Sequence, residues 1–309
     1  MIRYSISSHF SCMVNSDKLA HIIAKTKMAF PLSIILHMNV YKLNSRILWR
    51  DSFVLAMGVI TVIETLCAIS GLGLTDFVAL DSWWKKGLII LCTFILIWII
   101  VTIIKAYRAN KSIKVIIRGI EVTIKEGDLF AAKGWKLIPF NEFYDTRVDD
   151  VVIAHNSLNG QFIENHLSNK KDLQKIVTKE RRLQVQGADN ERYAFPLGHI
   201  IPFEDYLLLA FSHFEQKQAK LNHSEYETCL RNMWKEISRV YANRPVTVPL
   251  LGGGITRFED VSEKSDTHLL RCLLCTLKTS TANIYQPITI VLTKDSMKRI
   301  NLYELRKMI

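Results

Sequence analysis

The sequence predicts an α/β protein: an N-terminal two-helix transmembrane hairpin followed by a three-layer α/β domain. Three observations predict it. Two runs, residues 52–72 and 87–104, are almost uncharged. From residue 112 onward, β-branched and aromatic strand-like runs alternate with amphipathic helical stretches. One such run leads straight into Gly252, Gly253 and Gly254.

The two apolar runs come first. At 1.5 Å per residue they reach about 31 and about 27 Å, close to the thickness of a bilayer core. Residues 87–104 hold no charge, Asn, Gln, His or Pro, which a soluble core helix rarely achieves. The link between them is short, so the helices form an antiparallel hairpin. Trp83 and Trp84 beside Lys85 and Lys86 make an interfacial anchor pattern. Glu64 lies near the middle of the first span, where a carboxylate is costly. It is a candidate pore-lining or helix-interface residue, or else a neutral acid bonded to Thr93 or Thr102.

Charge locates the topology. The chain holds 40 Lys and Arg against 29 Asp and Glu, a net charge of +11. The excess flanks the apolar runs: Lys42, Arg46 and Arg50 precede the first, and Lys105, Arg108, Lys111, Lys114 and Arg118 follow the second. The positive-inside rule then puts both termini and the large C-terminal part in the cytoplasm. Residues 119–309 are nearly balanced, with 26 basic against 24 acidic, so no nucleic-acid partner is expected. With 49% hydrophobic residues and few Gly and Pro, disorder and a collagen-like fibre are excluded.

Residues 1–45 form a leader without the pattern of a signal peptide. Met38 begins a natural lead into the first span, so translation starts either there or at Met1. The hairpin is assigned to 46–111 and the cytoplasmic domain to 112–309.

Strands are expected at 115–117, 120–125, 135–140, 151–154, 193–197, 206–211, 246–250 and 288–292. Helices are expected at 162–182, at 224–241 with a capping box from Ser224 to Glu227, at 266–279 and at 296–308. Three glycines after a buried strand let backbone N–H groups approach an anion, as at the C-terminal edge of an α/β sheet. The run is neither a Walker motif nor GxGxxG, and a plain glycine loop also fits it.

Other segments add weight to that loop. Residues 121–130 end a strand in Gly127-Asp128-Leu129, residues 137–146 end one in Asn141, and Ser157-Leu158-Asn159-Gly160-Gln161 opens a helix. This order, with the membrane hairpin ahead of it, resembles the macro-like domain of membrane-anchored Thoeris anti-phage effectors. The resemblance implies a macro-like three-layer α/β/α domain with a mixed sheet. It also implies a ligand that is an ADP-ribose derivative, made from NAD by a TIR-domain enzyme and similar to histidine-ADP-ribose. Binding would drive homo-oligomer formation and disruption of the lipid bilayer at the bacterial inner membrane, ending in abortive infection. No cofactor is implied.

Carried over residue by residue, Asp128 matches the adenine-contacting acid, with the Leu129 backbone beside it. Asn141 matches the first Asn of the Asn-Ala-Ala-Asn element near the distal ribose. Ser157, Asn159, Gly160 and Gln161 match the first phosphate loop. Gly252, Gly253, Gly254, Ile255 and Thr256 match the second, and Arg257 adds charge for a phosphate or carboxylate. The element reads Asn141-Glu142-Phe143-Tyr144 here, and the first loop keeps only Gly160. Those departures favour a sensor over an enzyme. A membrane-anchored ADP-ribosyl hydrolase and a structural membrane adaptor are the alternatives.

Asp145, Asp149 and Asp150 read as a solvated turn. The nine histidines show no local ligand spacing, so no metal is expected. Cys272 and Cys275 read as small core residues of an apolar helix.

Overall fold

The computed structural model describes residues 45–69, 71, 73, 82–184, 193–215, 218–240, 242–254, 257–258 and 265–308. The leader up to residue 44, and Ile255 and Thr256 of the glycine loop, lie outside the described residues. The chain divides into two compact units, Met1–Tyr107 and Arg108–Ile309.

In the first unit, α1 (Arg46–Ile69) and α2 (Trp83–Lys111) are both long and apolar enough to cross a membrane. α1 starts six residues before its apolar run and ends at Ile69, while α2 extends beyond its run at both ends. Trp49 stacks edge-on against Trp98 at 5.4 Å, and Phe53 against Phe94 at 5.5 Å. Trp98 Nε1 donates to the Trp49 carbonyl at 3.1 Å, and Lys105 Nζ to the Asp51 carbonyl at 2.8 Å. Contacts that climb one helix while descending the other make the pair antiparallel. Most of the apolar side chains are exposed, Leu66 at 62% and Leu96 at 58% among them. Glu64 is exposed too. Thr93 and Thr102 donate their hydroxyls to the carbonyls of Ile89 and Trp98 on their own helix.

The second unit is built on a sheet. Among the described residues its strands are β1 (Ser112–Ile117), β2 (Ile120–Glu126), β3 (Trp135–Asn141), β4 (Ile200–Phe203), β5 (Tyr206–Glu215), β6 (Gln218–Leu221), β7 (Val246–Pro249), β8 (Arg257–Phe258) and β9 (Ile288–Leu292). The order is β1-β2-β9-β7-β3-β5-β6-β8, with β4 beside β5. The run from β2 to β5 is parallel, and antiparallel strands flank it. Parallel strands covered on both faces read as continuous apolar runs, and β7 is buried at every position.

Helices cover both faces. One face packs α5 (His223–Val240), α6 (Asp266–Thr279), α7 (Lys294–Arg299) and α8 (Leu302–Met308) through Leu137, Leu209, Trp234, Leu273 and Ile290. The other packs α3 (Leu158–Gln161), a π-helical turn (Phe162–His166) and α4 (Lys170–Gln184) through Ile138, Phe140, Phe162, Leu173 and Leu208. Alternation along β3 sends Leu137 to one core and Ile138 to the other.

Two prolines shape the centre of the sheet. β3 and β7 pair only over Trp135–Lys136 and Val246–Thr247. Trp135 N–H points to the β7 side, donating to Pro245 O, so the nitrogen of Pro139 faces that side as well. Leu250 N–H donates to Val291 on β9, which turns the nitrogen of Pro249 toward β3. Neither proline can extend the ladder, and the strands separate at their C-terminal ends.

Several expected elements differ. Residues 151–154 form no strand, only an isolated bridge from Val148 to Ile153, because Asp149 Oδ1 accepts from the Val151 and Val152 N–H groups in a turn. Residues 193–196 have no regular structure, Leu197 and Gly198 form a turn, and the strand follows at β4. The expected helix over 162–182 breaks at Leu167, whose backbone is extended. The capping box lies two residues earlier than expected: Asn222 Oδ1 accepts from Glu225 N–H, and the Glu225 carboxylate accepts from Asn222 N–H. The last helix is two, because Asn301 Oδ1 caps Tyr303 and starts a new one. Cys275 is exposed while Cys272 is buried, so only Cys272 is a core residue.

Candidate functional site

The separation of β3 from β7 opens a cleft of about 930 Å³ at the C-terminal edge of the parallel strands. In open α/β sheets this is where ligands bind, and the size suits a nucleotide-scale molecule. Six chain segments supply the walls: the end of β2, the end of β3, residues 150–161, the end of β5 with the start of β6, the glycine loop after β7, and the end of β9 running into α7.

Among the residues expected from sequence, Asp128, Leu129, Asn141, Ser157, Asn159, Gln161, Gly252, Gly253 and Gly254 all line this cleft. Asp128 is exposed and uses Oδ1 to accept from Phe130 N–H at 2.9 Å. Leu129 is buried behind it. Gly160 sits under the wall and makes its close packing possible: a Cβ there would come within 2.2 Å of the Ala154 carbonyl oxygen. The backbone of Arg257 belongs to β8, paired with β6.

Some expected contacts are already occupied. The Ser157 hydroxyl donates to Ala154 O at 2.7 Å and accepts from Gly160 N–H, capping α3. Gln161 Nε2 donates to Asn156 O. Asn141 Oδ1 accepts from the N–H groups of Phe143 and Asp145, while Nδ2 donates to Asp145 Oδ2 at 2.8 Å. Its carboxamide therefore builds the turn after β3. Asp145, Asp149 and Asp150 each accept within such turns, in keeping with a structural role.

Asn159 differs from these. It is only 9% exposed, and its Oδ1 is buried without a hydrogen-bond partner among the described residues. A buried acceptor without a donor is costly, and in a cleft wall a ligand hydroxyl or amine would satisfy it.

The rest of the Asn141 element turns away from the cleft. Glu142 is buried, accepting from His213 Nδ1 at 2.6 Å and from Phe214 N–H. Tyr144 has a φ of +54° and lies in the core against Phe140 and Phe195. Its hydroxyl meets the His199 carbonyl at 2.9 Å and His199 Nδ1 at 3.1 Å. Burial pushes the Tyr144 hydroxyl well above its ordinary pKa and holds His199 below the ordinary histidine value.

The mouth of the cleft holds a group that sequence reasoning missed. Thr293, Ser296 and Arg299 line it from α7. Thr293 caps α7, accepting from Ser296 N–H. Arg299 donates from Nε at 2.9 Å and Nη2 at 2.6 Å to one oxygen of the buried Asp266 carboxylate, at the first turn of α6. A side-chain carbon on Gly253 would lie 3.9 Å from the other oxygen of Asp266. Arg299 Nη1 makes no hydrogen bond among the described residues. The available signal was a Thr-x-x-Ser start after a buried strand, followed by a basic last turn.

The glycine loop keeps its own geometry. Gly252 has a φ of +80°, which favours glycine, and the ring of Phe258 lies 3.3 Å from its would-be Cβ. Among the described residues nothing lies within 4 Å of a Cβ at Gly254.

Comparison with known proteins matches this part of the chain. Residues 122–293 match the family model of the Thoeris protein ThsA macro domain. The Thoeris protein ThsA of Bacillus amyloliquefaciens (strain Y2) is 36% identical over 233 residues, covering 71% of this chain and 78% of the relative. Solved structures of an Oceanobacillus iheyensis macrodomain are also similar, one with ADP (TM-score 0.42, 14% identity, 64% of this chain and 96% of that one) and one with MES bound (TM-score 0.43, 14% identity, 64% and 98%). The matched stretch begins in β2 and ends just past β9, so it takes in every wall of the cleft but the rest of α7, and with that span and that identity the chain belongs to the Thoeris ThsA macro-domain family.

Proposed function

We propose that the chain is a membrane-anchored effector of anti-phage defence whose cleft binds an ADP-ribose-type nucleotide signal. The signal is the product of a TIR-domain enzyme, of the histidine-ADP-ribose kind. Binding drives self-association, and α1 and α2 then disrupt the bacterial inner membrane, with the macro-like domain on the cytoplasmic side. The observation that carries this reading is the orphaned Asn159 acceptor in a nucleotide-sized cleft beside a glycine loop. Family membership supports the ADP-ribose-type ligand, and the two apolar helices support membrane association.

The residues divide the work. Asp128 offers a carboxylate oxygen to an exocyclic amine. Gly252, Gly253 and Gly254 bring backbone close to a diphosphate. Arg299, steadied by Asp266, presents Nη1 toward a phosphate or carboxylate. The chemistry is recognition without turnover: Tyr144 occupies the core and Asn141 is committed to its turn, so neither positions an attacking water. Glu64 lines a pore or a helix interface of the assembled spans. A ligand promotes assembly only by binding the assembled state more tightly.

Co-expression with a signal-producing TIR enzyme tests this reading through membrane potential and survival. The intact chain depolarises the cells. A chain lacking residues 46–104 does not, and neither does Gly254→Glu, whose Cβ meets nothing within 4 Å among the described residues but whose charge is set against phosphate. Depolarisation by Gly254→Glu would overturn the assignment of the cleft.

A further inference from the structure

Away from the cleft, α5 and α6 face each other with four metal-binding side chains between them. α5 presents His223 and Glu227, and α6 presents His268 and Cys272, each pair at i,i+4 spacing and so on one helix face. His268 Nε2 lies 3.4 Å from His223 Nε2 and 3.4 Å from Cys272 Sγ. The three ligand atoms lie within 4.8 Å of one another, and Glu227 Oε1 is 3.7 Å from His223 Nε2. We propose that His223, His268 and Cys272 form a tetrahedral site for a zinc-class ion, with the Glu227 carboxylate closing the fourth position.

The spacing carries the proposal. Bonds of about 2.0 Å to nitrogen and about 2.3 Å to sulfur place tetrahedral ligand atoms roughly 3.3–3.6 Å apart. The two shortest separations fall in that range, and 3.4 Å is long for a hydrogen bond between two nitrogens. Two imidazoles and a thiolate select zinc, cobalt or copper(I) over magnesium or calcium. His268 is exposed while Cys272 is buried, so an ion enters from solvent and ends against the core. On binding, the metal replaces the Cys272 thiol proton, which leaves to water.

Four protein ligands leave no open position, which makes the site structural. It clamps α5 to α6 one turn from a shared hydrogen-bonding point: the Tyr226 hydroxyl, on α5, lies 3.1 Å from Leu251 O and 3.3 Å from Leu269 O. The clamp therefore steadies the root of the glycine loop. This inference goes beyond the nucleotide reading and stands without it.

Cobalt(II) titration of the full chain in detergent, stripped with chelator, tests the site. The expected result is one saturable equivalent, with a thiolate-to-cobalt charge-transfer band and intense tetrahedral d–d bands, both displaced by zinc. Cys272→Ser removes the charge-transfer band, His223→Gln weakens binding about tenfold or more, and the exposed Cys275→Ser changes neither. No saturable band in the intact chain overturns the proposal, as does a band that survives Cys272→Ser. Should Cys272→Ser fail to fold, an unchanged cobalt affinity in His223→Gln overturns it instead.

Discussion

Arg299 holds Asp266 through two nitrogens, Nε at 2.9 Å and Nη2 at 2.6 Å, and so ties α7 to the first turn of α6 at the mouth of the cleft. The Asp266 side chain is 7% exposed and that of Arg299 is 58% exposed. Arg299→Ala leaves a buried carboxylate without its cation. Because one partner is solvated, we expect a loss of about 1–2 kcal/mol, below the value for a fully buried pair. Thermal melting checks it. Arg299→Lys keeps a single charged contact, so it recovers part of the stability and little of the ligand affinity.

The glycines separate fold from binding. Gly160→Ala drives a methyl group into the Ala154 carbonyl oxygen, so the first wall must shift, at a cost of about 1–3 kcal/mol and with loss of ligand binding. Gly254→Ala meets nothing within 4 Å among the described residues, so its melting temperature is expected to stay at the parental value. Parallel melting and titration experiments distinguish the two. Equal melting temperatures for both variants would contradict the packing described for Gly160.

Asn159→Ala is expected to act in opposite directions on the two readouts. Removing an unsatisfied buried acceptor leaves the ligand-free melting temperature unchanged or raised. Ligand affinity falls about tenfold, or ~1.4 kcal/mol, for one lost hydrogen bond. A destabilised apo protein with normal affinity would assign Asn159 to the scaffold.

The Tyr144–His199 pair sets a pH dependence. Burial keeps His199 below its ordinary pKa, with weaker opposing effects from Glu236 and Glu180 and a reinforcing one from Arg239. The folded state therefore prefers the neutral imidazole, while the unfolded chain takes up a proton near pH 6.5. Stability is complete above about pH 6.5 and is lost as pH falls from there toward the depressed folded value. Melting temperatures measured between about pH 7.5 and about pH 5.5 should fall, with a shallower slope in His199→Gln.

The sequence made some of this legible and hid the rest for physical reasons. The membrane-scale helices are long, almost uncharged runs, and residues 266–279 and 288–292 repeat so regularly that their boundaries coincide with α6 and β9. Residues 151–154 misled because Val and Ile there sit in a turn that Asp149 closes by side-chain hydrogen bonds. Asp128, Asn159 and the glycines, matched through the family resemblance, line one cleft because each lies at a strand end or a helix start. Arg299 was not, because its role depends on Asp266, which comes beside it only when α6 and α7 pack. His223, His268 and Cys272 were hidden in the same way: each helix carries only an i,i+4 pair, and the pairs meet only when α5 packs against α6.

Calorimetric titration of the full chain in detergent with ADP-ribose, histidine-ADP-ribose and NAD, with light scattering on the same samples, reports whether the cleft binds a nucleotide signal and couples it to assembly. Saturable binding is expected, tightest for the decorated nucleotide, with growth in particle size, no turnover, and loss of binding in Gly254→Glu. No binding to any of the three, or equal binding by Gly254→Glu, would contradict it and reduce the glycine loop to a turn.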